Sequence, residues 1–390
     1  MLNRLNSKLE KHIPALIALW RKNSGMKGKL LPRELESVSR SLVALQRGLT
    51  GDRKLAGAGY MDRADFLGAY LLYYWPVSYM QISFEANAIR QYLRKGDLRI
   101  LDIGSGPAPA SAALCDMFNV RSVTLVDSSG EALSLAEKIF KSEWKDCSVK
   151  TYVHNFEKGN IPSVEGNFDI IVLSHSLNEL WTEYENAVER RAFFLQELAC
   201  FLSDGGILLV SEPALLSTSN ALIKVRDVLI TKGFSVVSPC LTSDSCPVSC
   251  SGGGQTCHAE VEWKGVEPVT SIARLAGLDR QSVKMAYMAF CRDYKNTAYD
   301  KGEYLVVSDG MLNKSGRVRF LFCDGKNRIP CSAKKIDSHA EGIGFFKLHR
   351  YDRVMLKNPE LRGSPDSKAF GIVDDTELSV KKFTEESPGS

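Results

Sequence analysis

The chain has 390 residues, of which 44% are hydrophobic and 25% are charged. This length and apolar content exclude a disordered chain and a minimal module, and they predict two or three domains that each bury a core. The net charge of +4 is unevenly distributed, because residues 1–60 carry +8, residues 313–353 carry +6 and the remainder carries −10. Basic ends of this size predict a polyanionic partner such as RNA, with solvated charged helices as the alternative.

The sequence contains no run of 18 apolar residues, so no membrane-spanning segment and no membrane partner are predicted. The first twenty residues lack the pattern of a signal peptide, and Glu10 argues against a mitochondrial transit peptide. We therefore expect a cytoplasmic location, with the mitochondrial matrix as the alternative. Both compartments are reducing, so clustered cysteines are interpreted as metal ligands before disulfides.

Residues 1–85 are predicted to form a helical N-terminal domain, because apolar residues recur at spacings of three and four. Pro32 marks the start of a second helix, and residues 48–59 are predicted to be a loop. A third helical stretch, residues 66–75, is rich in aromatic side chains. We interpret these side chains as core rather than as a platform for stacking bases.

Short apolar runs alternate with helical patterns from residue 98, which predicts an α/β fold with a parallel sheet wound by crossovers. The predicted strands are 98–104, 122–127, 149–155, 168–175, 206–213 and 234–239, and the predicted helices are 107–118, 130–142, 183–202 and 217–232. Residues 303–310 are predicted to be a further strand, preceded by a Cys-rich insertion at about 240–295. The Rossmann-like domain then spans 86–312, a basic β-hairpin extension spans 313–354, and a flexible tail spans 355–390.

The first strand of this sheet ends in a pattern typical of nucleotide sites. Asp102 is followed by a turn with Gly104, Ser105 and Gly106, and a helix comes next. Glycines allow a tight turn and a close approach of the backbone to a ligand. The second strand ends in Asp127, whose carboxylate can accept both hydroxyl groups of a ribose. Together these features predict a nucleotide pocket.

The acid before the turn gives the pattern D-x-G-x-G, which resembles the S-adenosylmethionine (SAM) site of class I methyltransferases. The resemblance implies that Asn155, after the third strand, lies near the adenine, and that Ser174, in the fourth, lies near the sulfonium. Turn capping is the alternative for Asn155 and Asn178, and a structural role is favoured for His175 over a base. No Asn-Pro-Pro-Tyr signature and no convincing cysteine nucleophile occurs, so the catalytic residue is left unassigned.

Four cysteines fall within eighteen residues, at Cys240, Cys246, Cys250 and Cys257. A short glycine-rich loop offers no ordinary core for four thiols, so a bound metal would supply the folding free energy. Tetrahedral sulfur sites suit zinc or iron–sulfur. The absence of paired C-x2-C knuckles argues against zinc, and the prolines beside the cysteines favour iron–sulfur. Free or buried thiols are the remaining alternative.

A family resemblance rests on several of these motifs taken in chain order. The segments that carry it are residues 102–107, 178–180, 211–213, 224–226 and 239–258. Over roughly residues 60–350 the chain resembles the methyltransferase-like assembly factors of the mitochondrial small ribosomal subunit and their bacterial relatives. It departs from them in two places, since Cys240 lacks the usual following Pro-His and Ala108 replaces the usual glycine after the loop proline.

The resemblance implies a class I SAM-methyltransferase domain and a [4Fe–4S] cluster held by four cysteines. Carried over by position, these are Cys240, Cys246, Cys257 and Cys323, with Cys250 as the alternative to Cys257. It also implies binding to small-subunit ribosomal RNA. The predicted hairpin carries basic residues that suit such a partner: Arg317, Arg319, Lys326, Arg328, Lys334 and Lys335.

The function expected from the sequence is that of a SAM-binding, iron–sulfur-containing, methyltransferase-like protein. It would act on or bind small-subunit ribosomal RNA in ribosome assembly or translation. Two alternatives are a non-catalytic ribosome assembly factor and a zinc-containing SAM methyltransferase that acts on a small molecule. Oligomeric state has no sequence signal.

Overall fold

The computed structural model describes the chain except for residues 23–25, 27, 49–62, 160, 163, 253, 279, 293–299, 365–367 and 387–390. The described helices are α1 (Leu2–Trp20), α2 (Pro32–Gln46), α3 (Ala64–Ala69), α4 (Trp75–Ile89), α5 (Pro109–Met117), α6 (Gly130–Glu143), α7 (Ala187–Leu198), α8 (Leu216–Thr231), α9 (Pro247–Cys250), α10 (Val269–Leu275) and α11 (Ser338–Gly342). The first eight described strands are β1 (Leu98–Ile103), β2 (Val120–Asp127), β3 (Ser148–Val153), β4 (Phe168–Ser174), β5 (Leu202–Glu212), β6 (Ser235–Ser238), β7 (Ala259–Glu262) and β8 (Ser282–Cys291). The others are β9 (Glu303–Val306), β10 (Met311–Leu312), β11 (Arg317–Cys323), β12 (Arg328–Lys334), β13 (Arg353–Lys357), β14 (Glu360–Arg362), β15 (Ala369–Gly371) and β16 (Glu377–Lys381).

The chain forms two compact units. The first contains residues 1–212 and 262–283, and the second contains residues 213–261 and 284–387. None of the helices in the described ranges is long and apolar enough to cross a lipid bilayer.

Helices occupy the N-terminal part of the first unit. In α1, Leu5 and Leu9 are completely buried, in agreement with the apolar spacing of the sequence. Pro32 begins α2, where its fixed φ suits the first turn. A π-helical turn, Tyr70–Tyr74, joins α3 to α4, and Trp75 is completely buried after it. The aromatic stretch therefore contributes to the core, as predicted. Most of the loop predicted at 48–59 lies outside the described residues.

The first unit is centred on a parallel sheet with the strand order β3-β2-β1-β4-β5. This is the order of a Rossmann-like sheet, so the predicted fold class is confirmed. Strands β1 and β4 are buried on both faces, which explains their unbroken apolar sequences. The strand order reverses between β1 and β4, and ligands of open α/β sheets bind outside the carboxyl ends of the strands at this point.

The second unit begins with α8, followed by β6, the Cys-rich loop that contains α9, and β7. Strand β8 pairs antiparallel with β6, from Ser235 opposite Cys291 to Ser238 opposite Ala289, and it also pairs with β7. The Cys-rich loop is thus attached at both ends to strands that contact β8.

A second sheet in the same unit has the order β14-β15-β12-β11-β9-β13-β16, with β10 beside β11. Strands β11 and β12 form an antiparallel hairpin, from Arg317 opposite Lys334 to Cys323 opposite Arg328, which confirms the hairpin predicted at 316–335. One face of this sheet covers an aromatic-rich core that includes Phe320, Phe322, Phe345 and Phe370.

Three segments differ from the expectation. The strand expected at 303–310 as part of the parallel sheet is β9, which pairs antiparallel with β11 and β13 in the second sheet. A long buried strand, β8, lies instead within the expected insertion. The expected tail, 355–390, contributes β14, β15 and β16, because the apolar side chains of Leu378 and Val380 pack against the second core.

Candidate nucleotide pocket and thiol cluster

The glycine turn lies at the carboxyl end of β1, between its two neighbouring strands. The amides of Gly104 and Ser105 donate to the carbonyl oxygen of Val126 in β2, at 2.8 and 3.2 Å. Gly104 has a φ of +67°, and a Cβ atom at this position would lie 2.4 Å from the Cβ atom of Ser176, just after β4. Gly106 also has a positive φ, of +52°. The turn therefore requires glycine at position 104 for both conformation and space.

Asp102 is fully buried beneath the turn. Its Oδ2 atom accepts hydrogen bonds from the Oγ of Ser111 at 2.7 Å and from the amide of Ser111 at 3.3 Å. Burial raises the pKa of Asp102 to about 7, the Ser111 donors oppose this rise, and the charge of Asp127 adds to it. Asp102 thus binds the first turn of α5 from the buried side of the glycine turn. It supports the pocket and does not line the pocket surface.

Asp127 ends β2 and is half-buried beside the turn. Its Oδ2 atom accepts the amide of Gly106 at 2.7 Å, and its Oδ1 atom accepts the amide of Ser129 at 2.8 Å. The structure thus brings the second-strand acid and the glycine turn into direct contact. A carboxylate next to turn amides is the combination that binds ribose hydroxyls in dinucleotide sites.

The two other predicted cofactor residues lie in different environments. Asn155 is exposed after β3, and its Oδ1 atom accepts the amide of Glu157 at 2.9 Å, which is a turn-capping contact. Ser174 ends β4, and its Oγ atom is buried without a hydrogen-bond partner in the protein. The Nε2 atom of His154 is in the same situation. Because buried polar atoms rarely lack a partner, these two atoms are candidates for contact with a ligand.

His175 follows β4 with a left-handed φ of +60°. Its Nε2 atom lies 2.8 Å from Oε1 of Gln81 in α4, and its Nδ1 atom has no hydrogen-bond partner. Burial lowers the pKa of His175 to about 4, so the ring is neutral at physiological pH. Since an amide oxygen only accepts, Nε2 carries the proton and Nδ1 is an acceptor. The sequence does not predict this pair, because α4 is buried around nearly its whole circumference and gives no signal for Gln81.

A buried polar network extends behind His175. The main-chain amide and the Nδ2 atom of Asn178 donate to Glu212 at 2.9 and 2.5 Å, and Nδ2 also lies 3.0 Å from the carbonyl oxygen of His175. Burial raises the pKa of Glu212 to about 8 against these hydrogen bonds. The Oγ atom of Ser211 donates to the buried Glu85 at 2.6 Å. Asn178 is therefore part of the support of the loop after β4.

Tyr70 begins the π-helical turn between α3 and α4. Burial raises its pKa, and the negative charges of Glu179, Asp127 and Asp102 raise it further. The phenol is therefore within electrostatic range of the pocket carboxylates. The sequence predicts this aromatic stretch only as core, although π-helical turns are frequent at functional sites.

The four cysteines expected as ligands lie in one region of the second unit. Burial raises the pKa of Cys246 to about 12, and the charges of Cys240 and Cys257 add to the rise. Burial also raises the pKa of Cys323 to about 12, and the charges of Cys257 and Cys240 again add. The loop thiols and the hairpin thiol therefore lie within electrostatic range of one another. Ionising all four would require positive charge among them.

Cys250 and Cys257 occupy contrasting positions. Cys250 is exposed at the end of α9, whereas Cys257 is buried just before β7. The charge of Cys257 acts on the other three thiols, so the arrangement favours Cys257 as the loop thiol that belongs with the group. His258 does not join it through a hydrogen bond, because its Nδ1 atom bonds the Oγ1 atom of Thr256 at 3.0 Å.

Arg226 in α8 brings a positive charge to these thiols. Its side chain is 1% exposed, and its guanidinium donates to the carbonyl oxygen of Thr242 at 2.9 Å and to Asp227. Burial lowers the pKa of Arg226, but the charges of Cys240, Cys246 and Asp227 outweigh it and raise the pKa. A buried guanidinium of this kind partly compensates thiolate charge.

Among the side chains that the structure describes, no set of three or more His, Cys, Asp or Glu residues has the geometry of a preformed metal site. All ten cysteines are free thiols. The chemistry of the donors fits a tetrahedral sulfur site, because four grouped thiols are the donor set that zinc and iron–sulfur clusters prefer. Arg226 adds the charge compensation that such a set of thiolates requires.

The β11–β12 hairpin contacts the Cys-rich loop through residues that closely follow Cys323. Arg328 donates to the side chain of Gln255 at 2.9 Å and to the carbonyl oxygen of Thr256 at 3.1 Å. A Cβ atom at Gly325, which has a φ of +90°, would lie 2.4 Å from Oγ1 of Thr242. The exposed basic residues of the hairpin region are Arg319, Lys326, Lys334 and Lys335. A basic surface is thus fixed to the loop that holds three of the thiols.

Comparison with known protein families matches a large part of the chain to a family model. The family model described as "Mitochondrial small ribosomal subunit Rsm22" matches residues 67–324, which is more than half of the chain. This range begins in α3, includes the glycine turn and ends one residue after Cys323. No curated protein matches the chain.

Several solved structures are similar to parts of the chain. A SAM-dependent methyltransferase from Clostridium acetobutylicum is 23% identical with a TM-score of 0.28, and the match covers 34% of this chain and 50% of that chain. A ribosomal protein L11 methylase from Lactobacillus delbrueckii is 15% identical over 55% and 79% of the two chains, with a TM-score of 0.33. A methyltransferase from Pyrococcus furiosus is 17% identical over 52% and 78%, with a TM-score of 0.32. The chain thus spans half of the length of the Clostridium protein.

Proposed function

The chain belongs to the Rsm22 family of the mitochondrial small ribosomal subunit, and on this premise we propose that it is a SAM-binding, iron–sulfur protein that binds small-subunit ribosomal RNA in ribosome assembly or translation. The contact between the basic hairpin and the Cys-rich loop carries this proposal, because it joins the expected fourth ligand, Cys323, to a surface that suits RNA.

The pocket at the carboxyl ends of β1, β2 and β4 would hold SAM. Asp127 would accept the ribose hydroxyls, the glycine turn would pass the amino-acid part, and the buried Oγ of Ser174 offers an orphaned polar atom to the ligand. Asn155 lies where the adenine is expected, although its side-chain oxygen already caps a turn. When bound, SAM would supply an activated methyl group.

Cys240, Cys246, Cys257 and Cys323 would hold a [4Fe–4S] cluster. When bound, such a cluster would cross-link the loop and the hairpin and contribute folding free energy. Zinc is the alternative occupant of the same thiols. Iron and sulfide in the protein purified under anaerobic conditions, with broad visible absorption, support the cluster, whereas stoichiometric zinc in colourless protein contradicts it.

The hairpin would bind the phosphate backbone of ribosomal RNA. Two cysteines on it form a matched pair for a test, because Cys323 ends β11 near the other thiols and Cys331 lies in β12, completely buried in the second core. We expect Cys323→Ala to lose the cluster and at least tenfold in affinity for small-subunit ribosomal RNA. Cys331→Ala should keep both, apart from a modest loss of stability.

The measurements are iron content, visible absorption and RNA binding at several salt concentrations, since phosphate contacts make affinity salt-dependent. If Cys323→Ala loses the cluster but binds RNA as tightly as the unaltered protein, the proposed link between cluster and RNA surface is wrong.

A second form of the proposal is an assembly factor that binds SAM without transferring its methyl group. The contact of His175 with Gln81 supports it, because that contact supports a structural role for the histidine. Transfer of a tritiated methyl group from SAM to purified small subunits distinguishes the two forms. SAM binding without transfer supports the non-catalytic factor, and labelled ribosomal RNA supports the enzyme.

The proposed location follows the family. The name of the family refers to the mitochondrial small subunit, and this supports the mitochondrial matrix, which the sequence predicts as the alternative to the cytoplasm.

A further inference from the structure

A buried tyrosine contacts one of the proposed ligand thiols. The hydroxyl of Tyr351 lies 3.5 Å from the Sγ atom of Cys257, within hydrogen-bond distance for sulfur. Tyr351 is 2% exposed and Cys257 is 8% exposed, so water does not compete freely for this contact. The hydroxyl of Tyr351, just before β13 of the second sheet, thus contacts the sulfur atom of Cys257.

The backbone around Tyr351 holds this hydroxyl in place. The amide of Tyr351 donates to the carbonyl oxygen of Val306 in β9 at 2.7 Å, and the amide of Val306 donates to the carbonyl oxygen of Asp352 at 2.9 Å. The ring of Phe383 packs edge-on against the Tyr351 ring, with centroids 5.8 Å apart. Asp352 accepts the amide of Phe383 at 3.0 Å and pairs with Lys382 at 2.8 Å, which fixes the C-terminal segment behind the ring.

Cys257 is held independently of Tyr351. Its amide donates to the Oγ atom of Ser219 in α8 at 3.1 Å, and the same hydroxyl donates to the carbonyl oxygen of Cys257. The backbone of Cys257 therefore stays in place when the tyrosine hydroxyl is removed. An ordinary phenol is protonated at physiological pH, so the Tyr351 hydroxyl is available as a donor.

We propose that Tyr351 is a positioning residue that donates a hydrogen bond to the Cys257 sulfur and thereby raises the reduction potential of the cluster held there. This inference rests on the proposed iron–sulfur function. A hydrogen bond to a ligand sulfur stabilises the more negative, reduced state, and removal of the bond shifts the potential to more negative values.

The test compares two isosteric substitutions in the full chain. Tyr351→Phe removes only the hydroxyl, and Tyr287→Phe is the matched control, because Tyr287 is also buried and bonds the Oγ atom of Ser238 at 2.8 Å. Each protein is purified under anaerobic conditions and titrated with dithionite and redox mediators, and its visible absorption and iron content are recorded. We expect Tyr351→Phe to keep its iron and to shift to a more negative potential, and Tyr287→Phe to match the unaltered protein.

Equal potentials in Tyr351→Phe and in the unaltered protein, at equal iron content, overturn the inference and leave the proposed function intact. Unaltered protein without an iron–sulfur spectrum overturns both. If Tyr351→Phe does not fold, Phe383→Leu provides a second test, because it loosens the Tyr351 ring without removing the hydroxyl. It should give a smaller shift in the same direction, and an unchanged potential contradicts the proposal.

Discussion

Left-handed residues concentrate where the first unit is expected to bind its cofactor. Gly104 and Gly106 have positive φ, and so do the non-glycine residues Ala108 and His175. Each left-handed non-glycine residue costs roughly 1–2 kcal/mol, so this edge of the sheet is maintained by the contacts around it. The family resemblance implies glycine at the position of Ala108, and the φ of +56° at Ala108 is a conformation that glycine adopts more readily than alanine.

Gly104→Ala should lower the free energy of unfolding far more than Gly205→Ala. Both glycines have a φ near +70°, so each substitution places alanine in a left-handed conformation that costs roughly 1–2 kcal/mol. Only at Gly104 does the new Cβ atom meet another side chain, 2.4 Å from the Cβ atom of Ser176, and nothing lies within 4 Å at Gly205. Overpacking adds roughly 1–3 kcal/mol. Urea denaturation measures the difference, and equal losses in the two variants would show that the turn relaxes around the added methyl group.

Among single residues, the sequence predicts those site residues that belong to short local motifs. Asp102, Gly104 and Asp127 were predicted because a strand, a glycine turn and an acid follow one another at the spacing of a nucleotide site. Gln81 was not, because its partner His175 is distant in sequence and α4 is buried on nearly every side. The contact of Tyr351 with Cys257 had no signal for the same reason.

Elements of the first unit were predictable because β1 and β4 are dense in Ile, Leu and Val and are bounded by turns. Strand β8 was not, since its sequence SVKMAYMAFC contains few β-branched residues and also suits a buried helix. The C-terminal strands were missed because each is three to five residues long. Such short strands are stabilised by neighbours in the sheet rather than by their own sequence.

Helix α1 is attached to the sheet helices through His12, which is 6% exposed. Its Nε2 atom lies 2.8 Å from Asp116 in α5, and its Nδ1 atom lies 2.8 Å from Glu143 in α6. Burial lowers the pKa of His12, but the hydrogen bonds and charges of Asp116 and Glu143 outweigh it and raise the pKa above the ordinary value of 6.5. The protonated ring is therefore favoured in the folded state.

His12→Gln should lower the free energy of unfolding more at pH 6 than at pH 9. A raised folded-state pKa gives stability that is fully present below the unfolded pKa and is lost as the pH rises through the folded value. We expect a loss of roughly 2 kcal/mol at pH 6, typical of hydrogen bonds to charged groups, and a smaller loss at pH 9. Urea midpoints of both proteins across this range provide the measurement. A loss that does not vary with pH would mean that His12 acts by packing alone.

In the whole molecule, charge and cysteine content divide between regions in a way that total counts conceal. The net charge of +4 separates into basic ends and an acidic remainder, and the ten cysteines separate into six thiols elsewhere and a group of four that spans the loop and the hairpin. The basic segment, residues 313–353, contributes strands to the sheet that carries Cys323. The excess of positive charge and the group of cysteines therefore lie in the same unit.

Ligand linkage provides a test of the pocket in the intact protein. SAM at one hundred times its dissociation constant should stabilise the folded state by about 2.7 kcal/mol, which corresponds to a rise in Tm of roughly 5 °C. Asp127→Ala should abolish most of this rise, because it removes the carboxylate beside Gly106. Asp204→Ala, at an exposed position near the start of β5, should retain it. Thermal scans with and without SAM measure the effect, and a full rise in Asp127→Ala would place the ligand elsewhere.

The separation of the thiols along the chain has a consequence for biosynthesis. Strands β1 to β5 are complete by residue 212, before any of the four grouped thiols has been translated. Three of the thiols then emerge together, and Cys323 follows about 66 residues after Cys257, which takes roughly 3–13 s at ordinary elongation rates. During that interval the nascent chain presents an open set of three thiols, while residues 262–283 of the first unit are still being translated. If the four thiols hold the proposed cluster, chains made when iron is scarce would stop maturing at a defined stage, with the parallel sheet formed and the hairpin not yet joined to the loop.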